Sequence, residues 1–341
     1  MEEEFITDSK GRWMIPGFID LHCHGGGGSS FDNGLESIGD ALAFHHGHGT
    51  IRLVLSLVSA AQTDLEARLA TIASVAEANP LVLGSHIEGP FLNKDFRGAH
   101  ELTWLRAPDS ESVDRLISIG RGQLRQVTLA PELPGASAAI QTFVSEGIVV
   151  AVGHTAADFE TSLAAFDAGA TLLTHAFSRM KGVDHRAPGP VIAAMRSPRV
   201  VLEIINDGIH LHPDVVRLAF AGAPGRIALV TDAMAAAGEP DGHFMLGTTS
   251  IKVEDGIART ETDGVIAGST LTLDVALRRA VNVVGISIED AVAAMTSVPA
   301  SALRRSHDLG MLAPGYVADV LRLSDDLQVE VVFANGKLIS N

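Results

Sequence analysis

Eight short runs rich in valine, isoleucine and leucine recur along this chain, and helix-like patterns stand between several of them. The runs are "GFIDLH", "IRLVLSLV", "LVLGSHIE", "RQVTLAP", "IVVAVGH", "TLLTHA", "VVLEIIND" and "RIALVTD". Near-continuous apolar runs of strand length suit parallel strands buried on both faces. Helical periodicity begins at Asp64, Ser137, Asp158 and His212, with Asp64 and Asp158 placed as N-caps. Eight strand–helix units predict an α/β protein built on a TIM-type (β/α)8 barrel. "SIKVEDGIART" and the tail "GMLAPGYVADVLRLSDDLQVEVVFANGKLIS" instead read as short strands with turns such as Asn335-Gly336, which predicts a small β-domain beside the barrel. The expected division is 1–15 as a remnant of that domain, 16–305 as barrel and 306–341 as the domain's C-terminal strands.

A barrel gathers the C-terminal ends of its strands on one rim, and here those ends are polar. They carry His22 and His24, His86 and Glu88, His154, His175, Asp207 with His210 just after, and Asp232. His22 and His24 stand two apart on a strand, so both point to the same side and can bind one cation. A carboxylate inside an apolar segment needs a partner, and a metal is an efficient one for Glu88. With His154 and His175 it makes a His/His/Glu set of the kind that holds catalytic zinc with a position left for water. Asp232 is placed to take a proton from a metal-activated water and return it to a leaving group. His210 could polarise a substrate carbonyl, whereas His212, just before Pro213, is read as a helix start.

Other residues resemble site residues without being assigned to one. "HHGHG" at His45 to His48 precedes the second strand and is expected at the barrel's opposite end, away from the chemistry. Cys23 should face away from its histidine neighbours and pack. Gly25 to Gly28 are read as a sharp turn beside a crowded site. Arg179, Lys181, His185 and Arg186 form a basic loop that either meets an anionic substrate group or is solvated, and the sequence leaves both open. His100, in a long loop, is a polar contact or nothing.

The net charge is -16, from 41 acidic and 25 basic residues, with no basic patch. Nucleic acid and anionic membrane surfaces are therefore excluded as expected partners. No apolar stretch is long enough to span a membrane. A single cysteine fits a reducing compartment, and the acidic start lacks a signal peptide's pattern, so a cytoplasmic protein is expected.

Taken together, "PGFIDLHCHGGGG", "HIEGPFLN" with "RGAH", "LAPE", "VGHT", "THAFSRM", "HRAPGP", "NDGIHLHP", "LVTDAM" and "IAGSTLTLD" resemble the N-acetylglucosamine-6-phosphate deacetylases of the amidohydrolase superfamily. The resemblance spans most of the chain and implies a barrel with a small β-sandwich domain, shortened here at its N-terminal side. It implies that Glu88, His154 and His175 hold a catalytic divalent metal, most simply zinc, and that His22 and His24 bind a second ion kept by only some members. Asp232 would be the acid/base and His210 the contact to the acetamido carbonyl. Ala99, His100, Ser178, Arg179, Ile266, Ala267 and Gly268 would line the sugar pocket. Arg186 would meet the phosphate from the neighbouring subunit of a homodimer. The implied reaction is attack of hydroxide, generated on the metal, on the acetyl carbon of an amino sugar phosphate, releasing acetate and free amine. An N-acyl amino acid, a cyclic amide or a different N-acetyl hexosamine phosphate is the alternative substrate. One departure stands inside the site: Ser178-Arg179 replaces the family's usual Asn-Ala.

Overall fold

The computed structural model describes residues 6–7 and 12–340. The eight runs form eight parallel strands: β1 (Phe18–Cys23), β2 (Thr50–Val58), β3 (Val82–Glu88), β4 (Leu124–Leu129), β5 (Val149–Val152), β6 (Leu172–Leu173), β7 (Val201–Ile205) and β8 (Ile227–Val230). They lie side by side in chain order. The ring closes where the Asp232 amide donates to the His22 carbonyl at 2.8 Å and the Thr231 hydroxyl donates to Asp20 at 2.6 Å. At the other end, Ile19 and Leu229 donate to the carbonyls of Met295 and Ala294, a segment wedged between the first and last strands. All nine residues of β2 are buried, as expected of a strand covered on both faces.

Helices α1 (Leu35–Gly47), α2 (Gln62–Ala78), α3 (Ser110–Gly120), α4 (Ala136–Ser145), α5 (Phe159–Asp167), α6 (Gly189–Arg196), α7 (Pro213–Gly222) and α8 (Leu273–Arg279) follow the strands in turn. Asp158 caps α5 through Thr161, and the His212 ring accepts from the Asp214 amide at the start of α7. Asp64 is not a cap, because α2 starts two residues earlier and Ala61 stands at its N-cap.

The expected small β-domain takes the form of a five-stranded antiparallel sheet. Its order is Ile6–Thr7, Trp13–Pro16, Val320–Leu323, Val329–Ala334 and Lys337–Ser340. Asn335 and Gly336, both at positive φ, make the tight turn between its last two strands. "SIKVEDGIART" does not join this sheet, contrary to its reading as part of that domain. It pairs with Gly242–Leu246 in a separate three-stranded meander between β8 and α8. Alternation identifies a half-buried strand but not the sheet that receives it. Val58, Met234, Leu246, Ile251 and Ala267 form a second small core that seats the meander beside the barrel mouth.

Candidate active site

Strand ends deliver the site as the barrel geometry requires. Glu88 ends β3, and its two oxygens face different groups. Oε1 lies 3.1 Å from both His154 Nε2 and His175 Nε2, which are 3.0 Å apart. Oε2 lies 3.5 Å from His22 Nε2 and 3.3 Å from His24 Nε2. Asp232 Oδ1 completes that second group, 3.4 Å from His22 and 3.2 Å from His24. All six residues are buried.

These donors fit a divalent cation. Nitrogen and oxygen ligands about 2.0–2.2 Å from one tetrahedral ion lie a little over 3 Å from one another, which is the spacing in both groups. His22, His24, Glu88 and Asp232 form one set able to hold a metal; Glu88, His154 and His175 form the other. Electrostatics agrees. Burial would raise the Glu88 pKa, but His22 and hydrogen bonds from His100, His154 and His175 hold it well below the usual range. Asp232 is likewise pulled down to about 2 against its burial, by His22 and His24. Burial opposes the charge on His24, yet Asp232 and Glu88 raise it to about 9. Without metal, protons on histidine balance the carboxylates.

A pH dependence follows. At neutral pH His24 is protonated in the metal-free chain and must give up that proton to ligate. Apparent metal affinity should therefore rise about tenfold per pH unit between pH 6 and 8 for this one proton. Equilibrium dialysis across that range checks it, and a flat profile would remove His24 from the ligand set.

Buried groups aim the ligands. His22 Nδ1 meets Glu203 at 3.2 Å, and Gln126 donates to the other Glu203 oxygen at 2.8 Å. His154 Nδ1 bonds the Phe96 carbonyl at 2.8 Å, leaving Nε2 for the cluster. His154, His175 and Asp232 have φ of 47°, 26° and 48°. Non-glycine residues rarely adopt this left-handed backbone, and three of its instances here stand at the ends of β5, β6 and β8, beside the cluster. Glu132, just past β4, accepts from Asn93 at 2.9 Å and from the Ala156 amide at 2.6 Å, and the Thr155 hydroxyl meets its other oxygen. It thus ties the loop after β3 to the residues following His154. Glu132→Gln should weaken metal binding by less than the roughly 10- to 100-fold lost with a group bonded directly to a ligand, because Glu132 acts on His154 only through its neighbours Thr155 and Ala156. Metal titration beside a circular dichroism melt checks it; unchanged affinity would make Glu132 a loop brace only.

A cavity of about 410 Å³ opens above the cluster, within the range of small-molecule sites. His24, Glu88, Ala99, His100, His154, His175, Ser178, Arg179, His210, Asp232, Ile266, Ala267 and Gly268 all line it. His210 Nδ1 contacts Asp207 at 2.7 Å, leaving Nε2 as its free ring nitrogen. His100 bonds Ser59 through Nδ1 and stands 3.5 Å from Glu88.

Arg186 is exposed and outside its own chain's cavity, the position of a residue that can act only on a neighbouring subunit. Two expected placements differ. His86 lies a layer below the rim cluster, between Ser56 at 2.9 Å and Thr128 at 2.8 Å, and burial pushes its pKa well down. His45 is not at the far end of the barrel. Its Nε2 meets the Gly25 carbonyl at 2.9 Å and Cys23 Sγ at 3.2 Å, bracing the first strand's end from behind. Burial lowers its pKa to about 4, so it packs there neutral. The Gly27 and Gly28 amides donate to the carbonyls of Ala237 and Ala235, so the glycine run is a turn whose donors are spent within the protein. Sequence reasoning missed the lining by Phe96, Phe177, Met180, Leu246 and Thr249. The Phe and Met stand next to motif residues, but Leu246 and Thr249 arrive on the meander, which no local signal assigned to the site.

The chain is similar to known proteins over nearly its whole length. A model of the amidohydrolase family matches residues 13–339. N-acetylgalactosamine-6-phosphate deacetylase of Escherichia coli O157:H7 is 36% identical over 339 residues, covering 98% of this chain and 90% of the relative. N-acetylglucosamine-6-phosphate deacetylase of Vibrio furnissii is 34% identical over 330 residues, covering 96% and 82%. Among solved structures, a point mutant of N-acetyl-D-glucosamine-6-phosphate deacetylase from Mycobacterium smegmatis, in complex with N-acetyl-D-glucosamine-6-phosphate, superposes with a TM-score of 0.92. It is 39% identical, with 97% of this chain and 87% of that one covered. With the matched span taking in the whole barrel, the meander and every residue of the buried cluster, this chain belongs to the amidohydrolase family.

Proposed function

We propose that the chain is a metal-dependent deacetylase that hydrolyses N-acetylglucosamine 6-phosphate to glucosamine 6-phosphate and acetate. The observation that carries the reading is the cluster centred on Glu88, set with Asp232 and His210 in one cavity, in a chain whose relatives are named for this reaction. Glu88, His154 and His175 would hold the catalytic ion, with His22, His24 and Asp232 around the other Glu88 oxygen as a second position. Zinc suits this nitrogen and oxygen donor set. When bound, such an ion polarises a carbonyl and lowers the pKa of water.

The chain's own groups account for the proton movements. Asp232 is ionised at neutral pH and takes a proton from the attacking water as its oxygen bonds to the acetyl carbon. His210, held through Asp207, hydrogen-bonds the acetyl oxygen as negative charge gathers there. Asp232 then returns its proton to the nitrogen, the C–N bond breaks, and acetate and amine leave. Arg186, on an exposed loop, would reach the phosphate of a partner's substrate in a homodimer. The lone buried Cys23 suits a cytoplasmic protein.

A second reading is the galactosamine epimer, favoured by the 36% identical relative named for it. Acetate release from N-acetylglucosamine 6-phosphate, N-acetylgalactosamine 6-phosphate and the unphosphorylated sugars, with metal content measured on the same sample, tests both. Turnover restricted to a phosphorylated sugar supports the deacetylase and names the epimer. A metal-loaded protein inert toward all of them overturns the reading and leaves N-acyl amino acids and cyclic amides.

A further inference from the structure

Arg179 is the one lysine or arginine among the residues that line the cavity, whereas Glu88, Asp95, Glu101 and Asp232 bring carboxylates to the same walls. Its side chain is half-buried and, among the described residues, makes no hydrogen bond or ion pair. Asp263 and Arg97 act on it electrostatically, but those two pair with each other at 3.3 Å. Taking a guanidinium partly out of water without a partner is costly.

The backbone nevertheless holds the residue in place. The turn after His175 passes through positive φ at Phe177 and Arg179, 77° and 51°. The Ser178 amide donates to the His175 carbonyl at 2.9 Å, and the Arg179 carbonyl accepts from Thr155 at 3.1 Å. Arg179 is thereby pinned between the loops that carry His175 and His154. Gly98 lets its side chain approach the cluster. A Cβ there would lie 3.2 Å from His154 Cε1 and 3.3 Å from Arg179 Nε, so only the missing side chain separates ring from guanidinium. An unpaired cation in a cavity walled by carboxylates, in a chain of net charge -16, is matched to one anionic group of a ligand that also reaches the metal cluster.

We infer that the Arg179 guanidinium is the within-subunit clamp for the 6-phosphate of the substrate and sets the preference for phosphorylated over neutral sugar. The inference rests on the deacetylase reading. It divides the anion between two arginines: Arg179 binds it inside each protomer, and Arg186 adds to it from the neighbouring subunit.

The test uses metal-loaded wild type, Arg179→Ala, Arg179→Lys and Arg186→Ala. Binding of glucose 6-phosphate, which has no acetyl group to lose, is measured by calorimetry with glucose as control. Arg179→Ala should raise its Kd about 10- to 100-fold, the size of a lost charge-assisted contact, and Arg179→Lys should restore part of it. The kcat/KM ratio of phosphorylated to unphosphorylated N-acetylhexosamine should fall by the same factor, through KM rather than kcat. An unchanged Kd, or an equal loss for the neutral sugar, overturns the inference. Acetate release with an unaltered ratio in Arg179→Ala, and a collapsed one in Arg186→Ala, would keep the deacetylase and move the phosphate to Arg186. Arg179-dependent binding of glucose 6-phosphate by a protein that deacetylates neither epimer would keep the anion clamp and overturn the deacetylase reading.

Discussion

Turnover of Asp232→Asn is expected to fall about 10²- to 10⁴-fold, the range lost when a positioned proton carrier is removed. Asn keeps the size and shape of Asp but cannot accept the proton. The reaction needs a carboxylate that is ionised before attack, and the surroundings of Asp232 supply it. Burial acts against ionisation, yet His22 and His24 bring its pKa down to about 2. The left-handed backbone at φ 48° fixes the carboxylate's direction, and Asn, which tolerates that region, should keep it. Because Oδ1 also stands 3.2 Å from His24, the variant should bind less metal in the His22/His24 group and full metal at Glu88, His154 and His175. Metal per chain and kcat on one preparation separate the two effects. A near-normal rate would strip Asp232 of its acid/base role, and loss of both ions would assign it to metal retention.

The barrel was legible in the sequence because each parallel strand carries its own signature, a run apolar on both faces that ends in polar residues. That pattern also located the cluster. Glu88, His154, His175, His22, His24 and Asp232 could be placed on one rim from strand position alone, since a barrel superimposes equivalent ends. The supporting contacts were not legible. His22 meets Glu203 across a separation of 181 residues, and Glu203 reads locally as one polar residue inside "VLEII". His86 looked equivalent to Glu88 because both belong to the same strand face. Only the depth of the barrel separates the layer that meets Thr128 from the rim. His45 follows a helical pattern and precedes β2, which predicts the far end of the barrel, whereas the last turn of α1 leans on the Gly25 carbonyl. The meander's alternation was visible, but its packing against Val58 and Met234 depends on residues far apart in the chain. The sequence pattern registers which faces are apolar and where elements stop, and it carries almost nothing about partners chosen across the fold.

The other large effect is expected at Glu88. Glu88→Gln should lose metal from both groups and abolish turnover, because one carboxylate serves the whole cluster. Oε1 faces His154 and His175 at 3.1 Å, while Oε2 faces His22, His24 and His100 at 3.3–3.5 Å. The substitution keeps the volume but replaces one charged acceptor by a donor aimed at histidine nitrogens. Removing one partner of a buried charge set costs about 3–5 kcal/mol, which corresponds to roughly 10²- to 10⁴-fold in metal affinity. The remaining histidines can compensate by staying neutral, so the fold should survive, with a lowered melting temperature and reduced rescue by excess metal. Glu88→Asp provides the control. It keeps the charge but shortens the reach, so it should hold one group better than both. Metal analysis after dialysis, melting curves with and without added zinc, and acetate release distinguish these outcomes. If Glu88→Gln keeps its full metal content and its activity, the ions lie elsewhere, and the two oxygens of Glu88 serve only to neutralise the histidines around them.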